Sequence, residues 1–326
     1  MKSKILKKLR ETDGYVSGQE LCDTFGVSRT AVWKAVNRLK EEGYEIDSVP
    51  KKGYRILNSP ACFSADEIKS RLKTEWAGRE VFFYEEIGST NTEINRLADA
   101  GKPHGTLAVA DCQTGGKGRR GRNWVSPSGS NIYMSILLRP EIAPDKASML
   151  TLVMALAVSK AIDEVCDVKT QIKWPNDILL SQRKIVGILT EMTAEPDYIS
   201  HVVIGVGINT NQEELPEEIR ANATSLFLET GEKTDRASIV ERTMYYFEQE
   251  YASFMEKGNL ELLVEEYNER LVNRNRAVRV LEPGNEYEGT AEGINASGEL
   301  LVIRKDGTKE QVYAGEVSVR GIYGYV

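Results

Sequence analysis

Apolar positions in the first sixty residues recur at helical spacing in three short stretches and then give way to two short strand-like runs. Ile5, Leu6 and Leu9 make the first stripe. Ser17-Gly18-Gln19-Glu20 has capping-box spacing, a hydroxyl and a Glu three residues on to satisfy free helix-start amides. It predicts a second helix running to Phe25, with Gly26 as the turn. Ser28 caps a third, whose Val32, Val36 and Leu39 share one face and which Gly43 can end. Two short helices joined by a tight glycine-containing turn make a helix-turn-helix. Residues 44–49 and 54–57 then flank Pro50-Lys51-Lys52-Gly53, a hairpin with a basic tip. The unit predicted over 1–60 is a winged helix-turn-helix, and Asn58-Ser59-Pro60 reads as its exit into a linker.

Beyond it the periods mix. Strands are predicted over 81–84, 107–110, 132–138, 185–189 and 202–208, and helices over 66–72, 92–100, 146–165 and 239–254. The strands cluster in hairpins instead of alternating strictly with helices, which predicts an α+β domain over 63–273. In 274–326 short strands alternate with Pro283-Gly284, Asn295-Ala296-Ser297-Gly298 and Asp306-Gly307, spacing that suits a small β-barrel. A length of 326 residues accommodates these three domains.

Composition narrows the class. Charged residues make up 28% and hydrophobic ones 41%, as in a soluble globular chain. The longest apolar run, 149–158, is interrupted by Thr151 and has the length of a buried helix, so no membrane partner is expected. The short, basic, amphipathic start does not resemble a signal peptide. Cys22, Cys62, Cys112 and Cys166 are widely spaced with no CxxC pair, and His104 and His201 lie far apart, which argues against a Cys/His zinc site. A reducing cytoplasm fits this cysteine usage. The net charge of −7 hides an asymmetry, because the first sixty residues are net basic and the remainder strongly acidic. A basic end on an acidic body points to a polyanionic partner for that end alone.

Four stretches carry candidate chemistry. In Gly115-Gly116-Lys117-Gly118-Arg119-Arg120-Gly121-Arg122-Asn123-Trp124, glycines let backbone amides crowd a ligand while Lys and Arg supply charge suited to phosphate oxygens. Taken alone, the stretch could equally be a solvated loop or an RGG-like nucleic-acid contact. It is no Walker A loop, since Lys117 precedes Gly. Lys173-Trp174-Pro175-Asn176-Asp177 precedes a hairpin to Lys184-Ile185-Val186-Gly187-Ile188-Leu189. There Lys184 heads an apolar strand and needs either a partner or a route to water. The Trp-Pro-Asn-Asp stretch alone could be a structural turn. Gly88-Ser89-Thr90-Asn91-Thr92 offers hydroxyls, an amide and helix-start N–H groups to a small polar molecule, or simply caps a helix. Gly205-Val206-Gly207-Ile208-Asn209-Thr210 lacks the third glycine of a dinucleotide motif and suits close packing of a strand end on a ligand.

Together and in this order, the four segments resemble the biotin–protein ligase family, in its long form that doubles as biotin-operon repressor. The likeness covers winged helix, ligase core and C-terminal domain. One departure is Lys117, which takes the first arginine position of the family's Gly-Arg-Gly-Arg-Arg-Gly loop; charge is kept and bidentate geometry lost. The resemblance implies a multidomain α+β protein with a mixed-sheet ligase core and an SH3-like C-terminal β-barrel. It implies ATP-dependent formation of biotinyl-5′-AMP and pyrophosphate, then transfer to a lysine of the biotin carboxyl carrier protein of acetyl-CoA carboxylase and of related biotin-dependent carboxylases. By analogy Ser89, Thr90, Asn91 and Gln113 hold biotin, and Lys117, Gly118, Arg119, Arg120 and Asn209 hold the phosphates and adenylate. Lys184 binds the carboxylate, and Asp177 places Mg²⁺ or orients Lys184. Lys184, Asp177 and Arg119 are the expected catalytic groups, acting by alignment and electrostatics. For the repressor half, Ser28, Arg29, Thr30, Trp33, Lys34, Asn37 and Arg38 lie off the third helix's apolar face as candidate DNA contacts, with Lys51 and Lys52 on the wing. A homodimer formed with biotinyl-5′-AMP as corepressor would read a palindromic operator. The competing readings are a lipoate–protein ligase, a non-enzymatic ligand-sensing transcription factor, and a ligase whose winged helix no longer binds DNA.

Overall fold

In the computed structural model Ser17 accepts the Glu20 amide at 3.0 Å and Ser28 that of Ala31 at 3.2 Å, so both hydroxyls start helices as their spacing predicts. The Glu20 carboxylate pairs with Lys8 at 3.0 Å. Residues 1–60, 62–195, 198–282, 284–314 and 318–321 are described, and they fall into two units, Met1–Lys73 and Thr74–Val326.

The first unit holds α1 (Lys2–Glu11), α2 (Gly18–Phe25) and α3 (Arg29–Glu41) around buried Ile5, Leu6, Leu9, Leu21, Val32, Val36 and Leu39. Strands β1 (Glu45–Val49) and β2 (Gly53–Asn58) form the wing. Gly53 is required there, because a Cβ would stand 2.0 Å from the carbonyl oxygen of Val16, whose backbone exchanges hydrogen bonds with Tyr54. Helix α4 (Ala65–Arg71), the one expected over 66–72, packs on α1 and so extends this unit beyond residue 60. The fully buried Glu67 carboxylate explains it. Arg10 donates to it at 2.8 Å, Arg71 at 2.7 Å and the Tyr44 hydroxyl at 2.5 Å. Leaving such a charge buried and unpaired costs about 3–5 kcal/mol, so α4 is held where its partners are.

The second unit is built on a seven-stranded sheet. Its elements run β3 (Val81–Ile87), α5 (Thr90–Asp99), β4 (Leu107–Gln113), β5 (Ile132–Leu138), α6 (Met149–Cys166), β6 (Gln171–Lys173), β7 (Asp177–Leu180), β8 (Arg183–Ala194) and β9 (Ile199–Ile208). The spatial order is β3-β4-β5-β9-β8-β7-β6, parallel between β3 and β4 and antiparallel elsewhere, hence mixed. Helix α6 is apolar on nearly every face and correspondingly buried. Helices α7 (Leu226–Thr230), α8 (Arg236–Lys257) and α9 (Val264–Arg270) follow, and α8 packs along α6. Strands β6 and β7 were too short to show a period of their own. Among the described residues no helix is long and apolar enough to cross a membrane.

The C-terminal strands β10 (Arg276–Glu282), β11 (Asn285–Ile294), β12 (Leu300–Arg304), β13 (Lys309–Val312) and β14 (Ser318–Gly321) form an antiparallel sheet in the order β13-β12-β11-β10-β14. Buried Val278, Val280, Ala291, Leu300, Val302 and Val319 supply its core. Gly298 and Gly307 lie in turns at positive φ where the turn signals stand, while Pro283 lies outside the described residues.

Candidate active site

The turn from β3 into α5 carries Gly88 and Ser89. Ser89 occupies the helix N-cap position, is buried, and makes no capping bond to the helix start. The Thr90 amide donates instead to Gln113 Oε1 at 2.9 Å, and the Thr90 hydroxyl reaches the same oxygen at 3.2 Å. Ser135 Oγ, from β5, lies 2.7 Å from Thr90 Oγ1 and 2.6 Å from Asn91 Oδ1, and Asn91 Nδ2 donates to Glu191 at 2.6 Å. Buried polar groups so tied hold fixed orientations. Ordinary helix capping therefore does not account for this quartet.

The basic loop is folded back on itself. Trp124 N donates to Gly116 O at 2.9 Å, Gly118 N to Arg122 O at 2.7 Å, and Lys117 bridges Asn123. Arg119–Gly121 is one 3₁₀ turn, with Arg120 in the left-handed region at φ 59°. This geometry turns Arg119 inward, where its guanidinium donates to Asn176 Oδ1 at 2.9 Å, while Lys117 and Arg120 stay exposed. Burial pushes the Arg119 pKa down, and neighbouring Asp177 opposes that shift.

Lys184, the second residue of β8, places Nζ 2.6 Å from Asp177 Oδ1 on the adjacent strand β7 and 5.2 Å from the centre of the Trp124 ring. It has a carboxylate partner and does not simply snorkel to water. Facing Asp177 from β6, buried Lys173 has its pKa pushed down to about 8 by burial, although Asp177 favours its charge. Gly187 and Gly207 leave space for the Trp124 indole: a Cβ on them would come within 2.7 Å and 2.5 Å of it. The close packing expected against a ligand at the Gly205–Thr210 strand end is made at Gly207 against Trp124.

Two cavities open on this constellation. One, of about 310 Å³, is lined by Gly118, Arg119, Arg120, Asp177, Lys184 and Asn209 together with residues of the 212–223 segment. The other, of about 50 Å³, is lined by Ser89, Thr90, Asn91, Gln113, Lys117 and the glycines of β8 and β9. Gly118, Arg119, Trp124, Asn176 and Lys184 line both. The fold thus brings every residue expected to hold biotin or adenylate to one of two adjoining chambers. Sequence reasoning did not single out Trp124, Asn176 or Gln212. For Trp124 the available signal was an aromatic closing a cationic glycine loop, and for Asn176 its place in the Lys173–Asp177 stretch; for Gln212 there was none. Among the described residues no group of three or more His, Cys, Asp or Glu is placed to hold a metal.

In the first unit Arg29, Thr30, Trp33, Lys34 and Arg38 project exposed from α3, and Asn37 is half-buried. Ser28 spends its hydroxyl on the helix cap, and Arg29 donates to Gln19 at 2.8 Å. Lys51 and Lys52 are exposed at the wing tip, with Lys52 Nζ 5.8 Å from the Tyr15 ring centre.

The biotin/lipoate A/B protein ligase family matches residues 83–209, an HTH domain matches 2–55, and the biotin protein ligase C-terminal domain matches 275–320. The bifunctional ligase/repressor BirA of Bacillus subtilis is 42% identical over 94% of this chain and 94% of its own. That of Escherichia coli is 31% identical, over 93% and 92%. The structure of the biotin protein ligase from Aquifex aeolicus in complex with biotin and ATP superposes with a TM-score of 0.65 at 30% identity, covering 74% of this chain and 99% of that one. With near-complete coverage at this identity, the chain belongs to the family of bifunctional ligase/repressors typified by BirA.

Proposed function

We propose that this chain is an ATP-dependent biotin–protein ligase that also represses biotin-gene transcription. The observation that carries the reading is Lys184 and Arg119 standing in the lining common to two chambers, one closed by the hydroxyl and amide groups of Ser89–Asn91, the other carrying Arg120 and Arg122 as well. Biotin's ring system is assigned to Ser89, Thr90, Asn91 and Gln113 of the smaller chamber, and the nucleotide to Gly118, Arg119, Arg120 and Asn209 of the larger, with Lys117 of the smaller chamber's lining assigned to its phosphates. Lys184 meets the carboxylate where it attacks the α-phosphate, and cations there stabilise the charge gathering on the phosphates. Asp177 orients Lys184. The ion accompanying ATP would be held chiefly by the phosphates, with Asp177 as its protein ligand, a pattern Mg²⁺ commonly adopts. That ion would supply charge neutralisation.

In this reading residues 1–60 read DNA through α3 and the wing, the part of 63–273 beyond Lys73 carries catalysis, and 274–326 form the C-terminal β-barrel. Biotinyl-5′-AMP orders the loop, two ligase cores pair, and the paired winged helices engage a two-part operator in the cytoplasm. The biotin carboxyl carrier protein competes for the same face. Linkage then requires dimerisation to tighten adenylate binding by the factor with which adenylate tightens dimerisation. The test is a mobility shift on DNA upstream of biotin genes, with sedimentation, each run with and without biotin plus ATP. Tighter operator binding and dimer formation with both ligands are the expected results. Indifference of both to the ligands would leave a ligase without a repressor. Lipoate adenylation in place of biotin, or no pyrophosphate release at all, would select the other readings.

A second prediction concerns retention. Arg119→Gly removes the contact to Asn176 and the charge over the phosphates, and frees the backbone. The reactive adenylate is then expected to escape and biotinylate lysines of bystander proteins. An unchanged adenylate lifetime on the variant would show that the loop does not close over the adenylate.

A further inference from the structure

Behind the smaller chamber runs a chain of hydrogen bonds that starts outside it, at half-buried Glu191 of β8. Neither Glu191 nor Ser135 is among the described residues lining the two chambers, so both can act there only through others. The Asn91 amide Nδ2 donates to Glu191 Oε2 at 2.6 Å and to Leu189 O at a long 3.4 Å. A Cβ on Gly205 would stand 2.1 Å from Asn91 Oδ1, so the amide is packed against the β9 backbone. Its remaining freedom is a flip that exchanges Oδ1 and Nδ2, and its partners decide which way it stands.

A carboxylate has no hydrogen to give. Glu191 therefore holds Nδ2 towards itself and Oδ1 towards Ser135. Ser135 has one hydrogen and two oxygens in reach, Asn91 Oδ1 at 2.6 Å and Thr90 Oγ1 at 2.7 Å. An amide oxygen only accepts, so that hydrogen goes to Asn91, and Ser135 accepts from Thr90. The other oxygen beside the Thr90 hydroxyl, Gln113 Oε1 at 3.2 Å, also only accepts. Thr90 thus spends its hydrogen on the wall and turns lone pairs to the chamber it lines.

We propose that Glu191 is a specificity-determining positioning residue. Through Asn91 and Ser135 it fixes Thr90 as a hydrogen-bond acceptor and so selects an acid whose ring carries an N–H. Resting on the ligase reading, this assignment names how the smaller chamber tells one ring from another. The cyclic urea of biotin has two N–H donors. The dithiolane of lipoate has none and would leave the Thr90 oxygen covered without a partner. A donor in place of Glu191 reverses every bond. It draws Asn91 Oδ1 to itself, Nδ2 donates to Ser135, Ser135 donates to Thr90, and the Thr90 hydrogen leaves its 2.7 Å bond.

Glu191→Gln keeps an acceptor oxygen, whereas Glu191→Lys and Glu191→Arg supply only donors. Full-length variants and parent are titrated calorimetrically, without ATP, with biotin and with two analogues in which a ring oxygen replaces one or the other ureido N–H. The parent is expected to bind one analogue about a hundredfold or more weakly than biotin, and Glu191→Gln to keep that ratio within about twofold. In Glu191→Lys the ratio is expected to shrink by about tenfold or more. Glu191→Arg carries the same test should the lysine variant not fold. Equal weakening of biotin and both analogues by a donor at 191 would make Glu191 merely structural and overturn the proposal. So would a parent that binds all three alike, a ratio unchanged by a donor, or a ratio lost in Glu191→Gln, which would assign the effect to charge. A parent that releases no pyrophosphate from biotin and ATP would instead refute the ligase reading itself.

Discussion

Replacing Lys184 with Ala is expected to lower pyrophosphate release from biotin and ATP by at least about a hundredfold, the scale of losing one preorganised electrostatic contact. The approach of a carboxylate to a triphosphate is a meeting of like charges, and Lys184 is, with Arg119, a cation held between the two chambers. Asp177 at 2.6 Å and the Trp124 ring fix its position before substrate arrives, so little reorganisation is left for the transition state. Folding is expected to survive. The β8 backbone at Lys184 is held by bonds with Asn222 and Thr224 that do not involve the side chain, and Asp177 keeps Arg119 as a neighbouring positive charge. Pyrophosphate release, with a thermal unfolding profile as control, is the measurement. Near-parental release would remove Lys184 from the reaction.

Deleting Met1–Lys73 is expected to abolish operator binding while adenylate formation remains measurable. Every residue assigned to DNA lies in the first unit. A chain beginning at Thr74 keeps its start tied down: the Glu248 carboxylate accepts the amides of Glu75, Trp76 and Ala77 at 2.8–2.9 Å, and the Trp76 ring lies 4.3 Å from that of His104. Cutting after residue 60 should behave worse in solution, since α4 would carry its buried Ile68 without α1 to cover it. Mobility shifts and pyrophosphate release on both truncations check this. Specific operator binding by the shorter chain would show that the DNA-reading assignment is wrong.

What the sequence determined by itself is what local chemistry sets. Ser17 and Ser28 mark helix starts because a hydroxyl satisfies amides three residues on, and Gly26 ends α2 because its φ of 63° suits glycine. Period-2 and period-3.6 patterns placed β5 over its full length and the long helices to within a few residues. The basic loop, Lys184 and the Ser89–Asn91 turn were recognisable because each combines residue types that bear chemistry within a few positions. Only the tertiary structure decided what depends on distant segments meeting. Helix α4 joined the winged helix because Glu67 needed Arg10, 57 residues away, and nothing in its own periodicity records that partner. Trp124 lies against Gly187 and Gly207, and Asn176 meets Arg119 across another 57 residues. A glycine or an asparagine in sequence carries no mark of what will occupy its space. The junction of the two cavities at Arg119 and Asn176 is a property of how β7, β8 and the loop are stacked, so it exists only once the sheet has formed.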